Sequence, residues 1–180
     1  GPHGNKSDSA GFHVGLTSII WREAWKYGER AFRYCQHDVG HALAALRFAA
    51  AALGWRIQLL PEWDDAHLAR LLGLNRMADF EDAERETPEL LVRVIVNEAA
   101  ATTWSPAADA AVEWFGRANR LSNDHVDWPA IDEAILASER MVLSAKSAAC
   151  KDAFAWSPPL PPACGHSASQ LIRQRRSAVD

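Results

Sequence analysis

Apolar positions recur with helical spacing over residues 30–53, and this is the longest regular pattern in the chain. Most of the apolar side chains lie three, four or seven residues apart, which places them on one face of a helix. Gly54 follows the last of them, where a left-handed residue commonly ends a helix. We expect this helix to be buried on most sides, and Lys26 and Tyr27 at its entrance to be held in place rather than solvated.

Shorter patterns on either side predict strands and helices that alternate along the chain. Three β-branched and apolar runs have the length of strands: residues 12–20, 55–60 and 89–96. Asp64 or Asp65 caps a short helix between the second and third strands, and Gly73 ends it. This alternation predicts a layered α/β or α+β domain.

The pattern weakens after residue 97, and the organisation of the chain changes with it. Pro129 begins a helix over residues 130–140, because proline suits the first helical position. Residues 141–166 contain a proline-rich run and predict a linker. Ser167 or Ser169 then caps a last short helix near the end of the chain.

The bulk composition narrows the class of protein. A length of 180 residues and a hydrophobic fraction of 48% suffice for the core of one domain. A formal net charge of -4 argues against general binding to nucleic acid. Three scattered cysteines without a CxxC motif fit a reducing compartment, and no apolar run reaches the length of a membrane span. We expect a cytoplasmic protein with neither a nucleic-acid nor a membrane partner.

Lys26 and Tyr27 are the first candidates for chemistry. A lysine that is partly shielded from water can donate or accept a proton near neutral pH, and a neighbouring tyrosine can share that proton. The alternative is a lysine on a loop beside a tyrosine that packs on the helix start. Nearby arginines have guanidinium groups that suit phosphate, or that pair with neighbouring carboxylates: Arg22, Arg30 and Arg33.

His37 and His41 lie four residues apart, so both imidazoles project from one face of the predicted helix. The run HDVGH shares the spacing of the HExxH zinc motif, and a metal-dependent hydrolase is one alternative. However, Asp38 is shorter than the glutamate of that motif, and no third ligand is evident. We therefore expect no catalytic metal, and two helix-face histidines that bond to neighbouring residues.

Two longer runs carry a resemblance to a known family. The segments KYGERAFRY and DVGHALAALRFAAAALGW resemble the nitroreductase-like flavin oxidoreductases, most closely the SagB/ThcOx-type dehydrogenases. Lys26, Tyr27, Gly40 and His41 match that branch position by position. The resemblance implies an α+β fold with a mixed sheet packed by helices, and a long central helix at a dimer interface. It also implies an FMN cofactor, a small-molecule or peptide substrate, and proton handling by Lys26 and Tyr27.

The end of the chain adds a second, shorter match. The run LIRQRRSA resembles the first helix of a nitroreductase half, which implies that Arg175, Arg176 and Ser177 hold FMN. We therefore expect residues 1–140 to form the C-terminal part of one half, followed by the linker 141–166. Residues 167–180 would begin a second half, so that the chain is a segment of a tandem-half protein or pairs as a homodimer.

One departure from the family pattern favours a different function. The azoline-oxidising branch usually has Gln-Asn a few residues after Gly-His, whereas this chain has Ala44 and Ala45. An alternative to the oxidoreductase is therefore a non-catalytic half that serves as a dimerisation scaffold.

Overall fold

The computed structural model describes residues 11–81, 83–97, 114–118, 126–141 and 165–176. Its helices and strands follow in this order: β1 (Gly11–Ser18), α1 (Trp21–Tyr27), α2 (Ala31–Ala52), β2 (Arg56–Leu59), α3 (Asp65–Leu72), β3 (Thr87–Ile95), α4 (Pro129–Ser138) and α5 (Ala168–Gln174). Short 3-10 turns lie at Gly28–Arg30 and Met77–Phe80. The chain divides into two compact units, Gly1–Val142 and Leu143–Asp180, each described by itself.

The sheet has three strands in the order β1-β3-β2, so the strand latest in sequence lies in the centre. Both pairings are antiparallel, so the described residues lack the parallel pair that the predicted mixed sheet requires. Leu91 and Val92, on opposite faces of β3, are 2% and 0% exposed. A strand covered on both faces is apolar without alternation, which explains why β3 has the clearest strand pattern in the sequence.

α3 packs on the face of the sheet that carries Leu91. Leu60, Leu68 and Leu91 form one buried cluster there. The approach of α3 depends on Gly15 in β1, because a Cβ at that position would lie 2.4 Å from Cδ2 of Leu72. A glycine in a strand allows such close contact.

A second core lies where α1, α2 and α4 meet. Its buried members are Ile20, Ala24, Ala31, Cys35 and Ile131, with Phe32, Trp128 and Ile135 packed around them. This core holds the first turns of α2 against the rest of the unit. Burial of the Cys35 side chain raises its pKa to about 11, so this free thiol stays protonated and is unsuited to act as a nucleophile.

The bounds predicted for the long helix are confirmed to within one residue at each end, but its predicted burial on most sides is wrong. Only Ala31, Cys35 and Ala50 are buried, while Phe48 and Leu53 are 77% and 61% exposed. The reason is that the elements that contact α2, namely α1, α4, β1 and β2, cover only the side of the helix that carries the three buried residues.

The other predicted elements of the described residues are confirmed within two or three residues: the three strands, and the helices α3, α4 and α5. The helix α1 is not among the predictions. The proline-rich segment predicted as a linker lies mostly outside the described residues. Among the helices that the structure describes, none has both the length and the apolar character that a membrane crossing requires.

Candidate functional site

Lys26 and Tyr27 form the C-terminal turn of α1, directly before a tight connection to α2. Gly28 makes that connection with a φ of 59°, a left-handed conformation that favours glycine. A Cβ at Gly28 would also lie 3.2 Å from Cη2 of Trp128. The position of the Lys26–Tyr27 pair therefore depends on the Gly28 turn, which packs against the indole of Trp128 at the start of α4.

Lys26 is exposed, contrary to the prediction that it is held away from water. It follows the buried Ala24 by two residues, and at about 100° per residue this places it on the opposite side of α1. Its ammonium lies 5.0 Å from the centre of the Tyr27 ring, a cation–π distance. Tyr27 is half-buried, so this unit covers part of the tyrosine and leaves the lysine open to solvent.

The ring of Tyr27 also contacts Tyr34 on the first turn of α2. The two ring centres are 4.8 Å apart at an interplanar angle of 65°, an edge-to-face arrangement that stabilises aromatic pairs. The Arg33 guanidinium lies 5.8 Å from the Tyr34 ring. Two aromatic rings and two cations are thus gathered at the junction of α1 and α2.

Tyr34 begins a line of residues along the side of α2 that faces away from the core. We call this line the exposed stripe; its members are Tyr34, His37, His41, Ala44, Ala45, Phe48 and Ala52. All are exposed except Tyr34, which is half-buried. Spacings of three, four and seven residues place them on one face, opposite the buried Ala31, Cys35 and Ala50. The Lys26–Tyr27 pair therefore adjoins one end of the exposed stripe.

His37 and His41 lie together on this stripe, as their spacing predicts. The Nδ1 atom of His41 lies 3.7 Å from a carboxylate oxygen of Asp38, and both side chains are largely exposed. In the described part of the chain, no group of three or more histidine, cysteine or acidic side chains is arranged to hold a metal ion. The hydrolase alternative, which needs a third protein ligand, gains no support.

Arg175 and Arg176 lie in the second unit, just beyond α5. Ser167 caps this helix, and its hydroxyl and the Gln170 side chain exchange hydrogen bonds with each other's backbone. The predicted helix therefore starts as expected but ends at Gln174. Arg176 Nη1 donates to the carbonyl oxygens of Arg173 and Arg175, at 3.2 Å and 3.0 Å.

Both arginines are exposed, so their charge is available to an anion even though Arg176 also caps the helix end. The third residue of the predicted phosphate site, Ser177, lies outside the described residues.

Two further titratable groups show strong electrostatic effects away from the predicted site. The pKa of Asp64 is lowered, first because the backbone N–H of His67 donates to its carboxylate at 2.6 Å. Burial, together with the nearby Arg93, lowers the pKa of His13 to about 4, so His13 is neutral at physiological pH. Asp64 serves as the N-cap of α3, which is a structural role.

Tyr34 and Phe48 were not among the candidate site residues predicted from the sequence. Their spacing of fourteen residues is four helical turns, so helical periodicity alone could have placed both on one face. Which face is buried was the missing information.

No protein-family model matches the chain, and neither a curated protein nor a solved structure shows significant similarity to it. The family resemblance therefore remains a prediction.

Proposed function

We propose that this chain is part of a nitroreductase-like, FMN-dependent oxidoreductase, and that α2 is the surface on which it pairs with a second half. The observation that supports this is the exposed stripe, which runs the length of α2 and meets the Lys26–Tyr27 pair at Tyr34. In this proposal the paired surface and the proton-handling residues are neighbours. The partner is a second nitroreductase-like half or a second copy of the chain.

The composition of the exposed stripe supports pairing. Between His41 and Ala52 the helix has a single lysine, arginine, aspartate or glutamate, the exposed Arg47, whereas solvent-facing helix sides normally carry several such residues. Phe48 is 77% exposed, and full burial of such a side chain contributes about 1.5–3 kcal/mol. Ala44 and Ala45 leave room for a second helix to approach closely.

The residues near Tyr34 have the chemistry that a flavin enzyme needs from its protein. When bound, FMN supplies the hydride transfer. The Lys26 ammonium and the Tyr27 phenol hold and move the substrate proton. A partner on the exposed stripe covers this end of α2 and removes water from the pair, which the single unit leaves open at Lys26.

The two arginines after α5 suit the phosphate of FMN. Guanidinium groups bind phosphate through charge-assisted hydrogen bonds, and both Arg175 and Arg176 are exposed. Ser177 would add a hydroxyl donor. Their exposed position beyond a capped helix, rather than inside a core, is compatible with a ligand that binds between halves.

Flavin uptake and turnover test the oxidoreductase proposal. The full chain is purified, supplied with FMN, and examined for flavin absorbance that stays with the protein through gel filtration. Lys26→Ala should lower the rate of flavin-dependent turnover by about 100-fold or more, while the matched control Arg85→Ala, an exposed cation away from α1, should not change it. A protein that never takes up FMN, alone or with a second half, would refute the proposal.

A non-catalytic pairing half is the second candidate, and a specific observation favours it. Ala44 and Ala45, where the related branch usually has Gln-Asn, lie on the exposed stripe and have no polar atoms to offer a flavin. This candidate predicts self-association or partner binding that needs Phe48, no flavin uptake, and no effect of Lys26→Ala on assembly. Loss of turnover in Lys26→Ala with intact assembly would exclude it.

A further inference from the structure

Two imidazoles on the exposed stripe have the arrangement of a bidentate metal site. His37 and His41 are one helical turn apart on α2, where side chains four residues apart have Cβ atoms about 5–6 Å from each other. Both side chains are exposed, with 81% of the His41 side chain accessible. Neither is part of a core, so both are available to a ligand from outside the chain.

Asp38 lies beside one of these imidazoles. Its Oδ1 is 3.7 Å from Nδ1 of His41, which is within ion-pair range but longer than a hydrogen bond. A metal-binding histidine commonly directs its second ring nitrogen to a carboxylate, which orients the ring and makes it a better ligand. Here the carboxylate lies on the Nδ1 side, so Nε2 of His41 is the atom that points away from Asp38 and is left for a metal.

One chain supplies only two ligands, whereas zinc in structural sites takes four. The described residues offer no third protein ligand in one chain. In a pair of identical chains related by a two-fold axis, an ion on that axis receives its ligands in symmetrical pairs. Two histidines from each copy complete a tetrahedral set of four.

The residues next to the two histidines allow the α2 helices of two copies to pack closely. Ala44 and Ala45 continue the exposed stripe immediately beyond His41 with side chains of a single methyl group. Packed helices lie about 8–10 Å apart, and the lower end of that range requires small residues at the contact. Imidazoles from both helices then reach an ion between them.

We propose that His37 and His41 bind a divalent transition-metal ion of the zinc, nickel or copper class, and that the same pair on a second copy of this chain completes the site. Imidazole is a ligand that these ions prefer. The ion has a structural role, since its coordination is filled by protein. This inference rests on the proposed pairing through α2 and adds that the pairing depends on metal.

Zinc titration of the full chain tests the proposal. The protein is freed of metal with EDTA, dialysed, and titrated with ZnCl₂ in competition with a chromophoric zinc indicator, while light scattering measures the molar mass. The expected result is one zinc ion for every two chains, a doubling of the mass over the same range of zinc, and a return to the original mass with EDTA.

Variants separate the site from non-specific zinc binding. His37→Ala and His41→Ala should each abolish the zinc-dependent doubling, whereas Asp38→Asn, which removes a neighbouring charge and no zinc ligand, should weaken zinc binding by less than about tenfold. His166→Ala is the matched control, because His166 is an exposed histidine outside α2, and it should behave like the unaltered chain. Circular dichroism of each variant verifies that α2 is folded.

Three outcomes would overturn the inference. The first is zinc binding at one ion per chain with no change in mass, and the second is zinc binding that survives His41→Ala. The third is a dimer that forms equally well in EDTA, which would refute the metal site and leave the pairing proposal standing. A chain that binds no zinc and never dimerises would contradict both the metal site and the pairing through α2. FMN uptake is measured in a separate experiment and tests the oxidoreductase proposal independently.

Discussion

The two helices α2 and α3 differ in how their ends are capped and in how much of their apolar surface is buried. α3 has eight residues, an aspartate that caps its first turn, a glycine that ends it, and Leu68 fully buried at 0% exposure. α2 has 22 residues, no side-chain cap at its start, and an apolar side open to solvent. The apolar side chains of α3 are covered within its own unit, whereas Phe48 of α2 is exposed.

Under the proposed pairing, this difference separates the residues that stabilise the fold from the residues that bind a partner. Every apolar contact of α3 contributes to folding, since its cluster is closed by the sheet. The exposed members of the stripe, from His37 to Ala52, contribute little to the isolated fold. Substitutions in α3 should therefore change the free energy of unfolding, and substitutions on the exposed stripe should change assembly.

The largest contrast is expected between truncating a leucine within α3 and truncating the leucine directly after α2. Leu68→Ala should lower the free energy of unfolding by about 2–5 kcal/mol, because it opens a cavity in a closed cluster. The same change at Leu53, which is 61% exposed at the end of α2, should stay within about 0.5 kcal/mol. Urea unfolding of both variants at low protein concentration gives the comparison, and equal losses would contradict it.

The next largest loss of stability is expected from breaking the ion pair between Asp65, the first residue of α3, and Arg140, which follows α4. We call this ion pair the clasp. Arg140 donates through Nε and Nη2 to Asp65 Oδ1 at 2.8 Å and 2.6 Å, and through Nη2 to the Glu89 carbonyl at 2.9 Å. Arg140→Ala should cost about 2 kcal/mol, the range for hydrogen bonds between charged groups.

Arg140→Lys is the control for the clasp. It keeps the charge but loses the planar set of donors, so it should restore only part of the stability. Thermal unfolding of the three proteins measures this order, and full restoration by lysine would show that charge alone holds the clasp.

A smaller effect is expected at the cap of α3. Asp64→Ala should lower stability by about 1 kcal/mol, the usual contribution of an N-cap. The pKa of Asp64 in the folded chain is below its ordinary value of 3.8, so the charged form stabilises the fold.

This stabilisation is complete above pH ~4 and is lost as the pH falls below the unfolded-state pKa and through the folded one. Unfolding free energies at pH 7 and pH 3 should thus differ less for Asp64→Asn than for the unaltered chain. An unchanged pH dependence would show that Asp64 does not carry the effect.

The smallest effect on folding, and the largest on assembly, is expected at Phe48. Phe48→Ser should change the unfolding free energy of the separate chain by less than about 0.5 kcal/mol, while it weakens any self-association. The matched control is Phe115→Ser, since Phe115 is 85% exposed and lies outside α2. Sedimentation at several protein concentrations measures both variants, and equal weakening by both would remove the exposed stripe as the pairing surface.

Local features of this fold could be read from the sequence because their causes lie within a few residues. Asp64 and Gly73 mark the two ends of α3, Ser167 begins α5, and the bounds of α2 follow from its periodicity. The candidate site could be read only in part. Tyr27 is half-buried, but Lys26 is exposed because α1, a helix absent from the predictions, turns it outward.

Apart from α1, the helices and strands and their boundaries were thus determined by the sequence itself, through side-chain spacing and capping groups that act over one turn. The tertiary structure alone decided which side of α2 is covered, and it joined Asp65 to Arg140 across 75 residues. The physical reason is that burial depends on where the other elements pack. The neighbouring elements cover only the side of α2 that carries Ala31, Cys35 and Ala50, and no periodicity in the helix records which side that is.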